Sequence, residues 1–193
     1  KVVENPADWK RFQKKEEIQH ILDRPDTFVG STEVAEADKN VKFYVLEDQK
    51  ITTKKNLQFI PGLYKIFDEC LVNAADNVTK TRHMLGSNKT TQIKITITKN
   101  SFAIENNGEP IPVQMHEEEK LWVPELIFGN LRTSDNYDDS QERLTGGRNG
   151  YGAKLAVIFS TKTNIRIVDK KRKKLYTQCF ENNMGIKHPP VIK

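Results

Sequence analysis

Cysteine is nearly absent from this sequence. The two present, Cys70 and Cys179, fall in different predicted elements and form no CxxC pair. A disulfide framework is therefore excluded, and a reducing compartment is indicated. Histidine is equally sparse: His20, His83, His116 and His188 show no metal-ligand spacing, so no structural metal is expected. No run approaches the ~20 apolar residues of a membrane-spanning helix, and no membrane association is expected. The opening stretch, KVVENPADWK, lacks the apolar core of a secretory signal. Repeats and low-complexity tracts are also missing.

What is present is an ordinary globular composition, 36% hydrophobic and 30% charged, with a net charge of +5. A length of 193 residues suits one domain, or one with a fragment of a second. Much of the excess charge sits in KKRKK, Lys170 to Lys174. That run reads as a solvated turn between two strands, a DNA-facing patch or a nuclear-import signal.

Hydrophobic periodicity organises the chain. Residues 1–30 read as an arm followed by a short amphipathic helix with Ile18, Ile21 and Leu22 on one face, ended by Pro25. Residues 31–60 alternate weakly and predict a hairpin with a polar tip. The clearest helix is PGLYKIFDECLVNAADNVTK, where Leu63, Ile66, Phe67, Cys70, Leu71, Ala74 and Ala75 predict a buried stripe. TTQIKITIT and SFAIE predict two strands across a turn at Lys99–Ser101. LWVPELIFGNLRT predicts a short helical stretch broken by Pro124 and Gly129. GAKLAVIFS predicts a helix, and TNIRIVD with KLYTQCF a hairpin across the basic turn. The sum predicts an α+β fold with helices covering one sheet face.

Three clusters have chemical content. Glu69, Asn73 and Asn77 recur every four residues and form a polar ridge beside the buried stripe; water or a polar ligand would satisfy them. Glu105–Asn106–Asn107–Gly108 reads as a turn, or as a strand end whose carboxamide reads a base edge. TGGRNGYGAK, Thr145 to Lys154, has glycines spaced to let backbone N–H groups approach an anion. It is not a P-loop, because Gly152 is followed by Ala153–Lys154–Leu155. Nor is it a dinucleotide loop, whose third glycine would fall at Leu155. Protein-kinase HRD and DFG sequences are absent.

A helix with Glu and Asn four apart, a strand ending in Asn-x-Gly and a glycine-rich loop, in that order, resemble the GHKL (Bergerat-fold) ATPases. This superfamily includes gyrase-type topoisomerases, heat-shock chaperones, sensor histidine kinases and mismatch-repair proteins. RPDTFVGS (Arg24 to Ser31), PGLYKIFDECLVNAADN (Pro61 to Asn77), VPELIFGNLRTSDNYDD (Val123 to Asp139) and TGGRNGYGAKLAVIFSTK (Thr145 to Lys162) are more closely similar to the N-terminal ATPase domain of eukaryotic-type type IIA DNA topoisomerases. The resemblance implies a two-layer sandwich, a mixed, mostly antiparallel sheet under helices. It further implies an arm and first helix at 1–30 and an ATP-binding domain at 31–193.

By the same resemblance, Glu69 would activate the water that attacks the γ-phosphate, and Asn73 would hold Mg²⁺. Asn77 would support the ribose and phosphate side, and Asn106 would read adenine. Ser134, Asp135 and Asn136 would contact ribose and phosphates. Gly147, Arg148, Asn149, Gly150, Tyr151, Gly152 and Ala153 would wrap the β- and γ-phosphates, and Lys154 would neutralise their charge. ATP and Mg²⁺ are thus the implied ligands. The implied partners are double-stranded DNA and a second copy joined through the arm, in the nucleus. Three positions depart from the family pattern: Pro110 replaces a glycine, Asp135 a small hydroxyl residue, and Phe12 a tyrosine. The sequence ends at Lys193, ahead of the position of a transducer lysine and of any DNA-cleaving motif, so a fragment with weak turnover is expected. Two other readings stand beside this one: a GHKL chaperone or mismatch-repair clamp, and a non-enzymatic module that binds nucleotide or DNA.

Overall fold

The computed structural model describes residues 16–36, 42–131 and 151–193. Helix α1 (Glu17–Asp23) buries Ile21 completely, with Ile18 and Leu22 packed at the edge of the same core. Pro25 does more than end this helix. It opens a second one, α2 (Pro25–Phe28), at a first-turn position where its missing N–H is not needed.

The predicted hairpin is β2 (Phe43–Glu47) with β3 (Lys50–Lys54). Its two turn residues, Asp48 and Gln49, both have positive φ, as a tight two-residue turn requires. Flanking it, β1 (Ala35–Glu36) pairs with β4 (Gln58–Phe59).

Helix α3 (Pro61–Thr81) carries the ridge of the candidate site. Its buried line is Gly62, Ile66, Ala74 and Thr81, with Phe67, Cys70 and Leu71 half-buried. Leu63, expected in the stripe, is 60% exposed, and Ala75 is exposed too. The helix is rotated so that Gly62 faces inward. A Cβ there would stand 3.1 Å from the Ser31 carbonyl oxygen, tighter than ordinary contact, so the small residue suits this close approach while Leu63 faces outward.

Strands β5 (Ile93–Ile97) and β6 (Phe102–Asn106) form a hairpin closed by the Thr98 N–H donating to the Ser101 carbonyl at 2.8 Å. Helix α4 (Val123–Gly129) starts rather than breaks at Pro124, which lies in its first turn; Gly129 is its last residue. Helix α5 (Gly152–Ile158) is the centre of the core. Leu155, Ala156, Val157 and Ile158 are all buried, as in a helix enclosed on every side.

Strands β7 (Lys162–Asp169) and β8 (Lys174–Glu181) pair along their full length across the basic turn. The short strands β9 (Ile186–Lys187) and β10 (Val191–Ile192) both return to β8. The architecture is α+β, and every ladder among the described residues is antiparallel; they form four separate groups. The core joins Ile21, Val29, Ile66, the α5 residues, Phe180 and Met184. No helix among the described residues is long and apolar enough to cross a membrane.

Candidate active site

The α3 ridge meets the start of α5. Glu69 is about a quarter exposed and forms an ion pair with Lys65, one turn earlier, at 2.5 Å. The pairing raises the Lys65 pKa, mainly through its hydrogen bond to Glu69. Asn73 donates its amide N–H to the Glu69 carbonyl at 2.8 Å. Gly152, the first residue of α5, sits so close that a Cβ would lie 2.4 Å from Glu69 Oε2 and 3.7 Å from Asn73 Nδ2. A side chain there would push the flexible end of Glu69 aside.

Lys154 follows on the same helix and is 3% exposed. Burial pushes its pKa down to about 8, because a desolvated ammonium loses hydration that charge demands. Carboxylate and carboxamide therefore converge near one glycine, and a buried lysine follows two residues on along α5. This donor set suits a polyanion together with a hard cation, and the glycine is the cradle that a side chain would fill.

Asn77, the third residue of the ridge, is tied to the turn after β6. Its two amide protons go to Thr90 Oγ1 and the Glu109 carbonyl, both at 3.1 Å. Thr90 in turn donates its hydroxyl to the Asn107 carbonyl at 3.0 Å, and its N–H to Thr81 Oγ1 at 2.9 Å. Thr81 closes the ring by donating to the Asn77 carbonyl at 2.6 Å. This clasp fixes the end of α3 to the turn after β6. Gly108 (φ +101°) completes it, since a Cβ there would lie 2.1 Å from Thr90 Oγ1.

At the strand end, Asn106 is exposed and donates to the Asn107 carbonyl at 3.0 Å. The neighbouring Asn107 is the structural residue. Its Oδ1 accepts from Thr91 and Gln92, both at 2.9 Å, and its amide donates to Thr91 Oγ1 at 2.8 Å. Periodicity alone did not separate these two asparagines, and neither Thr90 nor Thr81 stood out in sequence.

Tyr151 points away from the ridge. Its hydroxyl donates to Glu17 Oε1 at 2.6 Å, and its ring meets Phe28 at 6.2 Å between centroids. Ala153 is half-buried on α5. Ser134, Asp135, Asn136, Gly147, Arg148, Asn149 and Gly150 lie outside the described residues, as does Phe12. The basic turn is partly engaged: Arg172 pairs with the fully buried Asp169 at 3.0 Å, and the Lys174 ammonium stands 5.0 Å from the Trp122 ring centre.

Residues 60–178 match the family described as histidine kinase-, DNA gyrase B- and HSP90-like ATPase. This span runs from the start of α3 through most of β8 and includes every element of the site. The chain belongs to this family. Within the histidine kinase-, gyrase B- and HSP90-like ATPases, it is 52% identical over 181 residues to a probable DNA topoisomerase 2 of Dictyostelium discoideum. That match covers 94% of this chain and 11% of the relative. The crystal structure of the ATPase region of Saccharomyces cerevisiae topoisomerase II matches with a TM-score of 0.84 and 42% identity, over 95% of this chain and 47% of that one. The ATPase and transducer domains of DNA topoisomerase II from Balamuthia mandrillaris match with a TM-score of 0.85 and 39% identity, over 98% and 46% respectively. The chain thus spans about a ninth of the Dictyostelium relative.

Proposed function

We propose that this chain is the ATP-operated gate of a type II DNA topoisomerase. The observation that carries the proposal is the approach of Gly152 to Glu69, 2.4 Å from a would-be Cβ, which joins the α3 carboxylate to the exit of the glycine-rich loop. Identity of about one half to a DNA topoisomerase 2 over nearly the whole chain favours this over a chaperone or mismatch-repair clamp.

In this reading Glu69 orients the attacking water and accepts its proton, while Lys65 holds the carboxylate from the side. Asn73, whose amide N–H is already committed to the Glu69 carbonyl, offers its oxygen to Mg²⁺. That ion, when bound, supplies charge neutralisation to the β- and γ-phosphate oxygens. Lys154 adds a buried positive charge on the phosphate side. The loop residues Gly147, Arg148, Asn149 and Gly150 wrap the phosphates; Ser134, Asp135 and Asn136 meet the ribose side, and Asn106 reads the adenine edge. ATP binding brings two copies together through the arm and captures a DNA duplex, and hydrolysis releases it. The enzyme acts in the nucleus.

The test is Glu69→Gln in the full-length protein. Binding of a non-hydrolysable ATP analogue is retained, while steady-state hydrolysis falls by roughly 10²–10⁴-fold and plasmid relaxation stalls with it. Undiminished hydrolysis in this variant removes Glu69 from the role.

A further inference from the structure

A second cluster lies on the β8 sheet, apart from the Glu69–Gly152 contact and independent of the function proposed for it. Tyr176, Gln178 and Phe180 form the buried row of β8. Cys179 and Glu181 alternate with them and share the opposite face. His188 reaches that face from the returning chain. The ladder pairs Glu181 with Ile186 and Phe180 with Lys187, and the His188 N–H continues it by donating to the Cys179 carbonyl at 3.0 Å. Residues directly opposite in such a ladder stand side by side.

The Cys179 thiol sulfur, a Glu181 carboxylate oxygen and a His188 ring nitrogen accordingly all lie within 4.8 Å of one another. His188 Nε2 is 2.9 Å from Glu181 Oε2. Lys162 Nζ takes the other oxygen, Oε1, at 3.0 Å, and so orients the carboxylate with Oε2 toward the cluster.

We propose that Cys179, Glu181 and His188 hold one divalent transition-metal ion of the zinc class, with a water in the fourth position. A tetrahedral ion with ligands ~2.0–2.3 Å away separates its donor atoms by about 3.3–3.7 Å. Small side-chain rotations achieve this from the observed positions. A thiolate beside an imidazole disfavours magnesium and calcium, which prefer all-oxygen shells. The other cysteine does not compete: burial, aided by the Glu69 charge, pushes the Cys70 thiol up to about 11.

The ion would clip β8 to the returning segment. That segment is held by two-residue ladders, and Pro189 and Pro190 contribute no N–H to them.

The experiment titrates the whole chain with Co²⁺, then displaces it with Zn²⁺. One equivalent of Co²⁺ gives a thiolate-to-cobalt charge-transfer band with visible ligand-field bands, and Zn²⁺ abolishes both. Cys179→Ser removes the charge-transfer band, His188→Ala weakens binding by at least about tenfold, and Cys70→Ser changes neither. Without metal, both site variants melt with the parent, because neither residue is in the core. Zn²⁺ raises the melting temperature of the parent alone. Absence of the band, its survival in Cys179→Ser, or unchanged affinity in His188→Ala overturns the proposal.

Discussion

Replacing Gly152 by alanine probes the closest contact in the site. The added carbon would lie 2.4 Å from Glu69 Oε2, whereas ordinary contact begins at 3.4 Å, so the carboxylate must retreat by roughly 1 Å. It has room to do so, since Glu69 is 23% exposed and its other neighbour is the mobile end of Lys65. Moving it off its preferred rotamer costs about 0.5–1.5 kcal/mol. Alanine at a helical position recovers up to ~1 kcal/mol through its better propensity. These terms nearly cancel, so the melting temperature shifts by no more than about 4 °C, the scale of ~1 kcal/mol in a domain of this size. Catalysis is less tolerant: a 1 Å misplacement of a positioned group costs on the order of 10²-fold. Hydrolysis of ATP by the full-length variant therefore falls about a hundredfold while thermal stability stays near the parent. An unchanged kcat with the same stability would refute the claim that this approach sets the position of Glu69.

Gly108→Ala, by contrast, damages the fold. The new carbon strikes the Thr90 hydroxyl and stands 2.8 Å from its backbone nitrogen, at φ +101°, so chemical denaturation shows a loss of at least about 2 kcal/mol. Lys154 gives a pH signature. Its folded pKa of about 8 lies below its ordinary value of 10.5, so the nucleotide-free fold binds fewer protons than the unfolded chain between these limits. Its contribution to stability therefore rises with pH across that window. Phosphate favours the charged ammonium, so nucleotide binding near pH 8.5, inside that window, takes up protons. Calorimetry in buffers of different ionisation enthalpy detects the uptake, and Lys154→Met abolishes it. Tyr151→Phe removes the 2.6 Å hydrogen bond to Glu17 and costs about 1–2 kcal/mol. Hydrogen exchange then quickens in α1 and α2 while β7 and β8 stay protected.

The long helix and the terminal hairpin were legible because each repeats its period over many residues. The polar ridge was equally plain, since Glu69, Asn73 and Asn77 lie four apart. Its division of labour was not. Asn77 spends its amide protons on Thr90 and Glu109, which lie far along the chain, and only folding brings them together. Periodicity also gives the width of an apolar arc without its centre, so it puts Leu63 inside and gives Gly62 no weight. Thr81 is buried because its hydroxyl both donates and accepts, a satisfaction that composition hides. Pro124 reads as a breaker in a string and acts as a starter in the first turn of α4. The Cys179–His188 neighbourhood depends on a chain reversal at 182–185 that no ligand-spacing rule anticipates.

The Tyr151–Glu17 bond also has a mechanical meaning. Glu17 belongs to the first described helix, Tyr151 immediately precedes Gly152, and Gly152 touches the Glu69 carboxylate. Only one hydrogen bond, one peptide link and one van der Waals contact separate α1 from that carboxylate. Loosening the Tyr151–Glu17 bond therefore acts one residue away from the Gly152 approach to that carboxylate.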